Sequence, residues 1–144
     1  MNASEKTLYE LAKSAFAKAY SPYSQKSVGA AIRLSNGQVF SGCNVENSSY
    51  GGTVCAERVA ILKGVSETHT GNATPINARP QIETVMVVTD ASPPWPPCGL
   101  CRQVIAEFAT PKTQIITANL KGESKVYAFH SIFPEAFSPS HLMK

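Results

Sequence analysis

The run "ETVMVVTD", residues 83–90, is apolar and β-branched almost throughout, as a central strand of a sheet has to be. It leads into a proline-rich loop, "ASPPWPP" at 91–97, then a helical pattern from Cys98 to about Ala109, then a second strand-like run, "TQIITANL". Strand, helix and strand in that order imply a parallel pair joined by a right-handed crossover. The sheet is therefore expected to be mixed and covered by helices on both faces.

The remaining elements extend that core. "VGAAIRL" (28–34) and "QVFSGCNVE" (38–46) flank Asn36-Gly37, a strong hairpin signal, and "KVYAF" (125–129) supplies a fifth strand. Ser4 is expected to cap a first helix whose Leu8, Leu11, Ala12, Ala15, Phe16 and Ala19 share one face, ended by Ser21-Pro22. A second helix is expected from about Val54 to Val65. The order α-β-β-α-β-α-β-β predicts an α/β fold, a three-layer α/β/α sandwich on a mixed five-stranded sheet. At 144 residues and 43% hydrophobic content, residues 1–144 fit one domain.

Charge narrows the function. Thirteen Lys and Arg and a net charge of +3 are spread along the chain without forming a run, which is a solvated surface and not a nucleic-acid footprint. The opening residues contain no unbroken apolar segment of signal-peptide or membrane-spanning length, so a cytoplasmic protein without membrane contact is expected. Four cysteines are too few for a disulfide scaffold, and in a reducing compartment a Cys-x-x-Cys points to metal or redox chemistry.

Three of those cysteines fall at helix starts. Cys55 opens the second helix, and Cys98 and Cys101 open the third behind Pro97, which costs nothing at a position with no helical N–H partner. Helix starts favour thiolate over thiol, and three converging thiolates repel one another unless a cation sits between them. Zn²⁺ suits sulfur ligands in tetrahedral geometry, and three protein ligands leave a fourth position open, the mark of a catalytic site. Glu57, two residues beyond Cys55, is placed to act as general base beside that position. Arg58 brings a fixed positive charge that offsets the surplus negative charge of three sulfurs.

"CAE" followed by "PCGLC" resembles the zinc-dependent nucleoside deaminases. The motifs "SPYS" at 21, "VGAA" at 28, "GCNVENSSY" at 42, "CAERVAI" at 55, "PCGLCRQVIAEF" at 97 and "AFSPSHL" at 136 are similar to the small cytidine deaminases over essentially the whole chain. That resemblance implies hydrolysis of cytidine and deoxycytidine to the uridine product and ammonia, with one Zn²⁺ per chain. It implies that Asn44 and Glu46 hold the ribose hydroxyls and that the Ala56 backbone reads the pyrimidine edge. It also implies a homotetramer in which Phe137 stacks on the pyrimidine in a neighbour's site. Glu57 would shuttle one proton from an activated water to N3 and another to the amine leaving C4.

Two other classes compete on the residues alone. A thioredoxin-like protein also has a strand, a tryptophan and a Cys-x-x-Cys opening a helix, but two prolines part Trp95 from Cys98, and "CAE" and "NVE" would have no use. A structural zinc module needs a fourth ligand; Cys43 lies on a strand without a partner and reads as core, and His69, His130 and His141 match no ligand pattern. Tyr23 and Tyr50 read as packing or subunit-contact residues. Two departures from the family pattern, Lys26-Ser27 before "VGAA" and the four prolines before Cys98, raise the expectation that cytidines with a larger N4 substituent are tolerated.

Overall fold

The computed structural model describes residues 1–143. Among the described residues the eight expected helices and strands follow in the expected order, α1 (Ala3–Phe16), β1 (Gly29–Leu34), β2 (Val39–Cys43), α2 (Ala56–Thr68), β3 (Ile82–Thr89), α3 (Gly99–Phe108), β4 (Ala109–Asn119) and β5 (Ser124–Ala128), and a short α4 (Phe129–Ile132) that the sequence did not lead one to expect is added after them. The strands form one sheet in the order β2-β1-β3-β4-β5. β3 and β4 are parallel, and the other pairs are antiparallel.

Strand alternation divides the core in two. Ala31, Met86, Val88, Ile116 and Ala118 face Leu8 and Ala12 of α1. Ala30, Ile32, Val85, Val87 and Ile115 face the opposite layer, with Ala56, Ala60 and Ile61 of α2, Ile105 of α3 and Phe129 of α4. α1 lies close on β1 because residue 29 is glycine; a Cβ there would sit 1.9 Å from the Ala12 carbonyl oxygen.

Three expectations need correction. α1 is capped by Asn2 and not Ser4: the Asn2 side chain accepts from the Glu5 N–H at 2.8 Å, and the Glu5 carboxylate accepts from the Asn2 N–H at 2.9 Å, a reciprocal capping box that Ser4 cannot form with Thr7. Ser4 instead meets the Arg33 guanidinium. The helix stops at Phe16, short of Ala19, because Tyr20 is drawn into extended pairing, its N–H on the Asn44 carbonyl at 3.0 Å and its carbonyl on the Glu46 N–H at 2.8 Å. Phe129 closes no strand; it begins α4 and is buried under β4. At Asn36-Gly37 the hairpin takes a wider turn, with the Gly37 N–H on the Leu34 carbonyl at 2.9 Å and φ of 89° at Gly37.

Candidate zinc centre

Register explains why the two cysteine motifs meet. In the sheet, Gly29 pairs with Cys43 on one side and Val88 on the other. β2 and β3 run the same way, so both end at one edge of the sheet, and α2 and α3 both begin there. Cys55 and Cys98 are the N-cap residues of those helices, and Cys101 lies in the first turn of α3. Crevices at the carboxyl ends of strands are where open α/β sheets bind ligands.

The three Sγ atoms lie within 4.8 Å of one another, with Cys55 and Cys98 3.8 Å apart. Tetrahedral zinc with Zn–S of about 2.3 Å requires sulfurs about 3.8 Å apart, so the donor set fits the ion in chemistry and in spacing. Cys43 stands apart, half-buried, with its thiol on the Lys18 carbonyl at 3.5 Å.

Charge around the sulfurs is uneven. A hydrogen bond from Cys101, opposed by burial and aided by Arg58, pulls the Cys55 thiol down to about 5. The same bond, together with burial, pushes the Cys101 thiol well up. Arg58 Nη2 lies 3.5 Å from Cys55 Sγ and 3.4 Å from the Thr53 carbonyl oxygen, which aims it. Glu57 is buried at 4% exposure. Burial raises its carboxyl above the usual range, with the neighbouring Cys101 side chain opposing that rise.

The predicted substrate residues lie next to this cluster. Val45 pairs with Val54 through two N–H···O bonds of 2.9 Å, so Asn44 and Glu46 are held one pairing away from Cys55. Both side chains also brace the 21–28 segment. Asn44 accepts from the Val28 N–H at 2.9 Å and donates to the Lys26 carbonyl at 2.8 Å. Glu46 accepts from the Tyr23 and Ser24 N–H groups at 2.9 and 3.1 Å and from the Ser24 hydroxyl, bonds that hold its carboxyl below the usual range. Ala56 is fully buried at the first position of α2, where its N–H has no helical partner.

A groove of about 360 Å³ lined by Tyr23, Ser24, Glu46, Tyr50 and Thr53 adjoins these residues. Tyr23 and Tyr50 meet edge to face across it at 5.9 Å. From sequence these tyrosines read as packing or subunit-contact residues; the signal for their placement beside Glu46 is "SPYS" and "NSSY" flanking the site motifs. Phe137 is not brought into the groove. It is 55% exposed and stacks on His141 at 5.2 Å, while its carbonyl accepts from Gln103 at 2.8 Å. A second cavity, about 380 Å³ between residues 34–36 and 68–81, contains none of the predicted residues.

Paired helix starts, three sulfurs at zinc spacing and a buried carboxylate in an α/β/α sandwich define a zinc-dependent hydrolytic centre. The chain belongs to the family described as the cytidine and deoxycytidylate deaminase zinc-binding region, whose model matches residues 2–117. It is 41% identical over 138 residues to a cytidine deaminase of Sporosarcina psychrophila, covering 96% of this chain and 93% of that one. With a cytidine deaminase of Halalkalibacterium halodurans it shares 41% identity over 120 residues, 83% of each chain. The crystal structure of a Burkholderia pseudomallei cytidine deaminase superposes with a TM-score of 0.80 at 37% identity, covering 95% of this chain and all of that one.

Proposed function

We propose that the chain is a single catalytic domain that hydrolyses cytidine and deoxycytidine to the corresponding uridine nucleosides and ammonia, with Cys55, Cys98 and Cys101 as zinc ligands and Glu57 as the proton carrier. The observation that carries this is the three-sulfur cluster at zinc spacing with the buried Glu57 two residues from its first ligand. When bound, zinc supplies Lewis acidity that makes water a nucleophile at neutral pH. Glu57, whose burial raises its proton affinity above that of an ordinary carboxylate, would as the carboxylate accept a proton from that water, deliver it to N3 of the pyrimidine and later protonate the amine leaving C4. Asn44 and Glu46 hold the ribose with the acceptor and donor capacity left after bracing 21–28. The Ala56 N–H is directed at the pyrimidine edge. Arg58, 3.5 Å from Cys55, offsets sulfur charge that would otherwise weaken the Lewis acid.

The exposed Phe137 supports a shared site: in a homotetramer of this chain it would close a neighbour's groove, where burial rewards an aromatic that is otherwise half in water. The same reading places the enzyme in the cytoplasm, in pyrimidine salvage, and is in keeping with four free thiols. Among the described residues, no helix is long and apolar enough to cross a membrane.

The deciding experiment is Glu57→Gln, measured by zinc content and by turnover of cytidine. Full zinc with turnover lowered by roughly 10³-fold or more is expected, because proton transfer is removed while the ligands stay. Near-normal turnover in a zinc-loaded Gln variant refutes the mechanism.

A further inference from the structure

Residues 90–98 carry the chain from the end of β3 to the Cys98 cap of α3 and contain prolines at 93, 94, 96 and 97. Four N–H groups by which such a loop ties itself down are missing. The hydrogen bonds that hold it come from side chains elsewhere. At its back end, Arg102 Nε donates to the Pro97 carbonyl at 2.8 Å. At its front end, Asn119 Nδ2 donates to the Ala91 carbonyl at 3.0 Å, and the Ser92 hydroxyl donates to the Glu123 carboxylate.

Asn119 and Glu123 act as one unit on the β4–β5 turn. Asn119 Nδ2 also donates to Glu123 Oε1 at 3.1 Å, and Asn119 Oδ1 accepts from the Lys121 and Glu123 N–H groups, each at 3.0 Å. Asn119 is fully buried, and both donors and both acceptor sites of its amide are used. The register accounts for the contact: Asn119 pairs with Thr89, so the β4–β5 turn stands beside the chain as it leaves β3.

We propose that Asn119, with Glu123, is a positioning residue for the Cys98 sulfur. Restricted φ angles make a proline-rich segment transmit a displacement that a flexible loop would absorb. Anchoring its front end at Ala91 and Ser92 therefore fixes where its back end presents Cys98, across 3.8 Å from Cys55. The inference rests on the zinc reading of the three sulfurs and adds a support that lies six residues or more from any ligand in the loop.

The test uses zinc-loaded, full-length protein, with zinc release followed by an excess of a chromogenic chelator. Asn119→Asp keeps the side-chain shape but loses the donor to Ala91, and Ser92→Ala and Glu123→Ala break the second anchor. Glu123→Gln keeps an oxygen for Ser92. Tyr9→Phe is the control: it removes the hydroxyl that donates to the Asn119 carbonyl at 3.1 Å, loosening the same turn without touching the loop.

Zinc release is expected to be roughly tenfold faster in Asn119→Asp, the scale typical of supports behind metal ligands, and several-fold faster in Ser92→Ala and Glu123→Ala. Glu123→Gln and Tyr9→Phe are expected to stay near wild type. With cobalt in place of zinc, the sulfur-to-metal absorption band is expected to shift in Asn119→Asp and not in Tyr9→Phe. Wild-type release rates in all three anchor variants, or equal acceleration by Tyr9→Phe, overturn the proposal. Should Asn119→Asp fail to fold, Ser92→Ala and Glu123→Ala decide the matter. A wild-type protein that holds no zinc defeats the zinc reading and this inference with it, whereas a zinc-holding wild type with unaltered variants defeats only the positioning role.

Discussion

Adding one methyl group under α2 should disturb both the fold and the chemistry, and Gly42→Ala is the place to do it. A Cβ at residue 42 of β2 would lie 2.7 Å from the Ala60 backbone nitrogen and 2.8 and 2.9 Å from Val59 Cγ1 and Cβ. Ordinary contact begins near 3.4 Å, so helix and strand must part by about 0.7 Å. Val59 can change rotamer, but the Ala60 nitrogen belongs to the helix backbone and cannot swing aside. The whole of α2 has to move. Its cap and first turn carry Cys55 and Glu57, while Cys98 and Cys101 belong to the cap and first turn of α3, so the shift parts Cys55 from the other two sulfurs. Overpacking of this kind costs about 1–3 kcal/mol, and about 2–4 °C of Tm is lost per kcal/mol for a chain of this size. Displacement approaching 1 Å costs on the order of 10²-fold in turnover. Gly64→Ala, on the same helix, is the comparison: its Cβ meets side-chain and not backbone atoms, Phe40 Cδ2 at 2.9 Å and Ile32 Cδ1 at 3.2 Å. Those side chains can yield, and alanine regains about 1 kcal/mol of helix propensity. Thermal unfolding, zinc content and kcat/KM for cytidine are measured on both. If Gly42→Ala matches wild type in all three, or if Gly64→Ala loses as much turnover, the argument that β2–α2 spacing sets the site geometry is wrong.

Mixing Glu57→Gln subunits with Phe137→Ala subunits, each inactive alone, is expected to restore part of the turnover if Phe137 completes a neighbour's site; no recovery after verified subunit exchange would return Phe137 to its own chain. In zinc-free protein the Cys55 thiol, held at about 5, is charged above that pH and neutral below it. Its alkylation rate by iodoacetamide should therefore already be level at pH 7, where an ordinary thiol near 8.5 is still gaining with pH. A midpoint near 8.5 for Cys55, located by mass spectrometry, would contradict that charge distribution. For the proline loop, kcat/KM is compared between cytidine and an N4-alkyl cytidine in wild type, Trp95→Ala and Lys26→Phe. A ratio that changes in the variants is expected, and outright rejection of the substituted nucleoside by wild type counts against a widened pocket.

Local pattern carried far in this chain. The nearly continuous apolar run "GAAIRL" and the β-branched run at 82–89 determine strands whose two faces must both be covered, and that alone demands helices on each side. Cysteine at a helix start, once behind Pro97 and once before Ala56, also declares its own preference for negative charge. The cap of α1 is legible too: Asn2 with Glu5 three residues later is a complete capping box, and Ser4 with Thr7 is not. The end of α1 was not legible, because Ala17, Lys18 and Ala19 all suit a helix, and what stops it is Tyr20 pairing with a segment some twenty-five residues away.

What the sequence by itself determined is which groups exist and which element each one opens: three thiols, a carboxylate and a guanidinium at the first turns of two helices. Tertiary structure decided their distances. Cys55 and Cys98 are 43 positions apart along the chain, and no local propensity places them together. They meet because Cys43 and Val88 both pair with Gly29, so that one strand sets the level from which both helices begin. The same holds for Asn44 and Glu46, whose side chains the sequence marked as polar but whose work in bracing 21–28 follows from a backbone pairing between Val45 and Val54. Spacing along the chain encodes chemistry through rotation about a helix or strand; spacing across the fold is set by hydrogen-bond register, which depends on every strand at once.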